Sequence, residues 1–185
     1  MMNKPLTAAA ALAVALPAAA QESGLTSEDA RGFLEAIQPT AEQAVEQGDW
    51  QGVQNWLSRH VADDAPVYME GKVLSSNGPA LSYSASMTGL DLQKFASMGM
   101  SGPQANMLDM IEGYTIRTRI MDTWQLPGGK VSAAIAFYEY GAFRAGDQVP
   151  FSGPFSSEAV CALRMGGSAD DVTIELANCE IKSNI

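Results

Sequence analysis

The chain has 185 residues, 46% of them hydrophobic and 17% charged, with 21 acidic against 11 basic side chains, one His and two Cys. It is too apolar and too lightly charged for a disordered segment. It is too acidic for a nucleic-acid binder, which needs a basic footprint, and two Cys with one His exclude a disulfide-dense scaffold or a Cys-rich zinc site.

The first twenty residues read as an export signal. Lys4 gives a short positive start, Leu6 to Leu16 an apolar run, Pro17 a break, and Ala18-Ala19-Ala20 a small-residue cleavage site. The run is too short to cross a bilayer and no later stretch approaches the needed length, so no membrane span is expected. The expected mature protein is a single domain over residues 21–185, periplasmic or secreted, long enough to bury a core without metal or oligomer. In an oxidising compartment Cys161 and Cys179, flanking one hairpin, read as a disulfide. The other reading is two buried thiols, since free Cys behaves as a small hydrophobe.

In chain order, Thr26 or Ser27 caps a helix whose Ala30, Phe33, Leu34 and Ile37 follow helical spacing. Pro39 is expected to end it, and Thr40 to Gln43 to form a capping box for the next. Asp49 caps a third stretch, with Val53, Trp56, Leu57, His60 and Val61 on one face. Residues 21–70 hold ten acids and two bases, the solvated face of these helices. Strands are predicted over Ala65 to Val73 and Pro79 to Ser84. Thr88-Gly-Leu-Asp91 then opens a helix and Ser101-Gly-Pro-Gln104 another. Four strands follow: Tyr114 to Leu126, Lys130 to Phe143, Ser156 to Met165 and Val172 to Lys182. The expected fold is α+β, with helices packed on one face of a strongly curved antiparallel sheet in the cone-shaped order α-α-β-β-α-β-β-β-β.

One hairpin supports a register. A two- or four-residue turn at Gly128-Gly129 sets Trp124 against Ala133, Asp122 against Ile135, Ile120 against Phe137 and Thr118 against Glu139. This face, with Tyr114 and Phe143, holds the large apolar groups and is taken as the core side. The other face pairs Arg119 with Tyr138 and Arg117 with Tyr140. A three-residue turn would break the matching.

The order of elements, with Glu46-Gln-Gly-Asp49-Trp50, Leu57 and Ala62-Asp63-Asp64-Ala65-Pro-Val67-Tyr68, resembles the nuclear transport factor two-like superfamily, which includes SnoaL-like enzymes and ketosteroid isomerase. The resemblance implies a cone whose mouth accepts an apolar ligand, and a sheet through which members often dimerise. It implies no single activity, because the fold hosts enzymes, binders and interaction modules. The position matching the isomerase's base is Met69, which takes no proton, and its oxyanion-hole Tyr falls near Ala41. Isomerase chemistry is not expected.

The expected ligand-binding residues are Trp56, His60, Tyr114, Asp122, Trp124 and Phe137. A carboxylate on an apolar face is expected to hold its proton more readily, and His60 beside Asp122 or Glu139 would then be its acid–base partner, which defines a lyase- or isomerase-like alternative. His60 on this apolar face is equally compatible with a satisfied core residue. Met98, Met100, Met107 and Met110 suit an adaptable apolar wall; their spacing also suits copper(I), a weaker reading because Met107 falls on the core stripe. Arg117, Arg119, Tyr138 and Tyr140 form an aromatic–cationic outer face, read as a homodimer interface or an interaction surface. No nucleophile, phosphate-loop or dinucleotide motif is visible, so no cofactor and no metal are expected. The leading expectation is an exported protein holding a small apolar or amphipathic ligand in its cone.

Overall fold

Three helices, two strands, a fourth helix and four strands succeed one another in the computed structural model, which describes residues 24–47, 50–75, 78–101, 111–143 and 152–185. They are α1 (Ser27–Glu35), α2 (Ile37–Gln47), α3 (Trp50–His60), β1 (Pro66–Leu74), β2 (Leu81–Thr88), α4 (Gly89–Ser101), β3 (Ile111–Leu126), β4 (Lys130–Phe143), β5 (Gly153–Ser168) and β6 (Asp171–Asn184). The predicted leader through Ala20, the Asp49 cap, the helix opening past Ser101 and the side chains of all four grouped methionines lie outside the described residues.

Two capping boxes fix helix starts. Thr26 Oγ1 accepts from the Asp29 amide at 3.1 Å while Asp29 returns a bond to the Thr26 amide at 3.2 Å. Thr88 and Asp91 do the same for α4. Pro39 does not stop a helix: the break falls at Ala36, and Pro39 sits in the first turn of α2, where a missing amide costs little. The capping box predicted at Thr40 is replaced by a Thr40 hydroxyl donating to the Ala36 carbonyl at 2.8 Å.

The strands form one open sheet, β2-β1-β6-β5-β4-β3, antiparallel throughout except where β1 runs parallel to β6. Helices pack on one face of it. The core there joins Leu25, Ala30 and Leu34 to Val131, Ala133, Ile135, Leu163, Met165, Val172 and Ile174. α1 and α2 lie along the exposed β3 edge, where Gln38 Oε1 accepts from the Thr118 amide at 3.2 Å and Gln125 Oε1 from the Ser27 amide at 3.1 Å. At Thr118 a side chain thus satisfies an edge amide that would otherwise invite another strand, while Gln125 ties the start of α1 to the edge. Cys161 and Cys179 stand directly opposite each other on β5 and β6 and form a disulfide.

The β3–β4 hairpin corrects the predicted register. Its turn has three residues, Pro127-Gly128-Gly129, with both glycines at positive φ, and it sets Leu126 against Lys130 and Trp124 against Ser132. A one-residue change of register exchanges the faces of a strand. Trp124 (47% exposed) and Asp122 therefore stand on the outer face, not on the core side. A bulge at Met121 then restores the phase, so that Ile120 opposes Ile135 and Thr118 opposes Phe137, all facing the helices.

Candidate functional site

Read across the strands, the helix-facing side of the sheet is a series of transverse rows. One row runs Thr123, Ala133, Leu163, Ala177, Val67, Met87; the next runs Ile120, Ile135, Cys161, Cys179, Met69, Ala85. These two hold buried core residues. A third row runs Thr118, Phe137, Ala159, Ile181, Gly71, Tyr83, and a fourth Ile116, Glu139, Ser157, Ser183, Val73, Leu81. None of the last twelve is buried; Tyr83 is 44% and Leu81 64% exposed, although both face inward. One end of the inner face is thus packed and the other half-open. The half-open end is apolar inside and polar at its limit, the pattern of a small-molecule site.

Gly71 shows how tightly this end is built. A Cβ there would lie 2.0 Å from Cζ of Tyr83, whose ring crosses the glycine on the neighbouring strand. The glycine lets the aromatic lie flat along the apolar row.

The polar limit centres on Glu139. The Tyr114 hydroxyl donates to Glu139 Oε1 at 3.0 Å, and one row-mate pair, Ser183 and Ser157, is joined hydroxyl to hydroxyl at 3.1 Å. Tyr114 is aimed by a second β3 irregularity, between Glu112 and Thr115, in which Gly113 has φ +61°. Burial first, then the Glu139 charge and its hydrogen bond, push the Tyr114 phenol well above its ordinary range, so it stays a donor. Phe155 lies 6.2 Å from the Tyr114 ring, nearly parallel to it, and 5.0 Å from Phe143. Among the described residues, no Lys, Arg or His lies within ion-pair distance of Glu139.

The predicted site residues fall into three groups, of which Asp122 and Trp124 form the outward-facing one. Tyr114, Phe137 and Glu139 come together at the half-open end. Trp56 and His60 lie at the packed end, in an aromatic cluster with Phe33 at centroid distances of 5.1 to 5.7 Å. His60 Nδ1 bonds the Val172 carbonyl at 2.9 Å. The row of Glu139 crosses β6 at Ser183, eleven residues past Val172 and about 35 Å of strand away. His60 therefore meets neither Glu139 nor the outward-facing Asp122, and the expected acid–base pair is not assembled. Met69 faces inward in the second row, with no proton to exchange.

Nothing in the sequence singles out Phe155, Ser157, Ser183 or Tyr83. Phe155 falls in what reads as a loop, and Ser157 gains meaning only once its register places it beside Glu139.

Arg117, Arg119, Tyr138 and Tyr140 do share the outer face, but each pair is displaced: Arg117 opposes Tyr138, Thr115 opposes Tyr140 and Arg119 opposes Ala136. A separate cleft of about 470 Å³ lies between α1, α2 and β3, lined by Arg31, Glu35, Gln38, Glu42, Thr118 and Ile120. Among the described residues no group of three metal-ligating side chains gathers, and no helix is long and apolar enough to cross a membrane.

No family model matches the chain, and no curated protein matches it. Among solved structures it is similar to an NTF-2 like protein of unknown function from Shewanella oneidensis MR-1, at 13% identity over 83% of this chain and 98% of that one, with a TM-score of 0.43. It is also similar to a ketosteroid isomerase-like protein from Erwinia carotovora atroseptica, at 13% identity, 83% and 93% coverage and a TM-score of 0.39. A third is an NTF2-like protein with a cystatin-like fold from Novosphingobium aromaticivorans, at 9% identity, 83% and 81% coverage and a TM-score of 0.44. Likenesses this distant carry nothing about ligand or chemistry, which rest on the chain's own residues.

Proposed function

We propose that the protein is an exported carrier or receptor for a small amphipathic ligand, held at the half-open end of the inner face. The observation behind this reading is the pair of unburied inward rows, apolar at Phe137, Ile181 and Tyr83 and polar at Glu139, Ser157 and Ser183. An inward-facing apolar surface left partly wet is unfavourable by roughly 25 cal/mol for each Å² that a ligand would cover. The disulfide favours an oxidising compartment, and the export signal read at residues 1–20 supports the same location.

The reading is tested by native mass spectrometry of the protein purified from its own host. The expected result is mass above that of the bare chain, lost in Ile181→Asp, which puts a charge on the apolar row without entering the packed core. A bare chain that also takes up none of a panel of amphiphiles overturns the reading.

The outer face supports a second role. Met121, Trp124 and Tyr140 are about half exposed there beside Arg117 and Arg119, with Glu158 and Glu180 on the same face. Such a mixed apolar and two-signed surface is self-complementary, which favours a homodimer. Sedimentation at high micromolar concentration is expected to give twice the chain mass, reduced to one by Trp124→Glu. A monomer throughout removes this role.

A further inference from the structure

The inward rows of the half-open end hold twelve residues, and Glu139 is the only charged one among them. Glu139 is half-buried, and a charge partly withdrawn from water favours a partner. Here the Tyr114 hydroxyl fills one acceptor position of a carboxylate that has about four, and among the described residues no cation answers the charge. Arg117 and Arg119 are close in sequence but stand on the far face of β3. Tyr114 reaches the carboxylate through its hydroxyl, its ring lies 6.2 Å from that of Phe155, and Phe155 lies 5.0 Å from Phe143, so a line of aromatic rings starts at the carboxylate. A carboxylate with aromatic faces at its side is the combination that recognises an organic ammonium, by charge and by the negative faces of the rings. The separate cleft between α1, α2 and β3 holds Glu35 and Glu42 against Arg31, and the chain carries 21 acidic against 11 basic groups, so the net field also draws cations.

We infer that this end of the inner face is an ammonium site: Glu139 and the rings of Tyr114, Phe143 and Phe155 hold a cationic amine head, and the row of Phe137, Ile181 and Tyr83 holds its apolar body. The inference rests on the proposed carrier role and specifies its ligand class.

Calorimetric titration of the purified protein with nonyltrimethylammonium, nonan-1-ol and nonanoate, each below its micelle concentration, separates the two. The three probes share a tail and differ in head charge. The expected order is ammonium tightest, by about tenfold or more over the alcohol, and carboxylate weakest. Glu139→Gln is expected to remove the ammonium advantage while leaving the alcohol's affinity in place. If Glu139→Gln does not fold, Phe155→Leu keeps the bulk and removes the ring face, and the same selective loss is expected. Equal binding of all three heads, or an advantage untouched by the foldable variant, overturns the ammonium site but leaves the carrier role standing. Binding of none overturns both.

Discussion

Gly113 governs where Tyr114 points. Nothing lies within 4 Å of a Cβ built there, so the obstacle to a side chain is the backbone itself, at φ +61°. Gly113→Ala is expected to cost about 1–2 kcal/mol if the conformation is kept, or to swing Tyr114 off Glu139 if it is not. The phenol reports which. Burial and the Glu139 charge raise its folded pKa above the ordinary 10.0, so its stabilising share is complete below that pH and is lost as pH climbs beyond it. Alkaline titration of tyrosine absorbance should show one late-titrating group, shifted earlier by Gly113→Ala and by Glu139→Gln. Urea melts should lose stability above pH 10.0 in the parent and less so in Tyr114→Phe. No late group in the parent would sink this account.

At the scale of elements, β3 is set by its irregularities. Met121 is 55% exposed and touches little of the core, yet its presence as an extra residue decides which way its neighbours face. Met121→Ala is expected to change stability by no more than about 0.5 kcal/mol, whereas deleting Met121 should abolish cooperative unfolding. The deletion either turns Ile120 and Thr118 to solvent or drags Trp124 and Asp122 inward. A deletion variant that melts normally would contradict the register. The same feature explains what the sequence could and could not convey. Lys130–Phe143 is legible to the residue because Val131, Ala133 and Ile135 alternate with polar or small neighbours, and α4 is legible from Thr88 and Asp91. The β3 face is not, because Pro127-Gly-Gly permits turns of several lengths and one residue of slip exchanges faces. Pro39 misleads in another way, since a proline that ends one helix and a proline that opens the next look alike without the break at Ala36. The candidate site was half legible: Tyr114, Phe137 and Glu139 stand out on their strands, but Ser157 and Ser183 join them only through pairings between distant strands.

For the whole molecule, β6 is the seam. It lies between β1 and β5, bonded to β1 on one side and tied by Cys179 to Cys161 on the other. The disulfide closes a loop of 18 residues and is expected to contribute about 3 kcal/mol. Denaturant melts with and without reductant measure it, and an unchanged midpoint would mean that the β5–β6 ladder holds alone. β6 is also the last of the described elements in chain order, and Val67 must wait for Ala177 before β1 has its parallel partner. The β1–β2 hairpin therefore emerges before the strand that joins it to the rest of the sheet. Folding should be slow and late, as expected where strand pairing spans most of the chain, and a chain still being delivered would remain open and threadable until β6 arrives. Assembly of the sheet is timed by its seam.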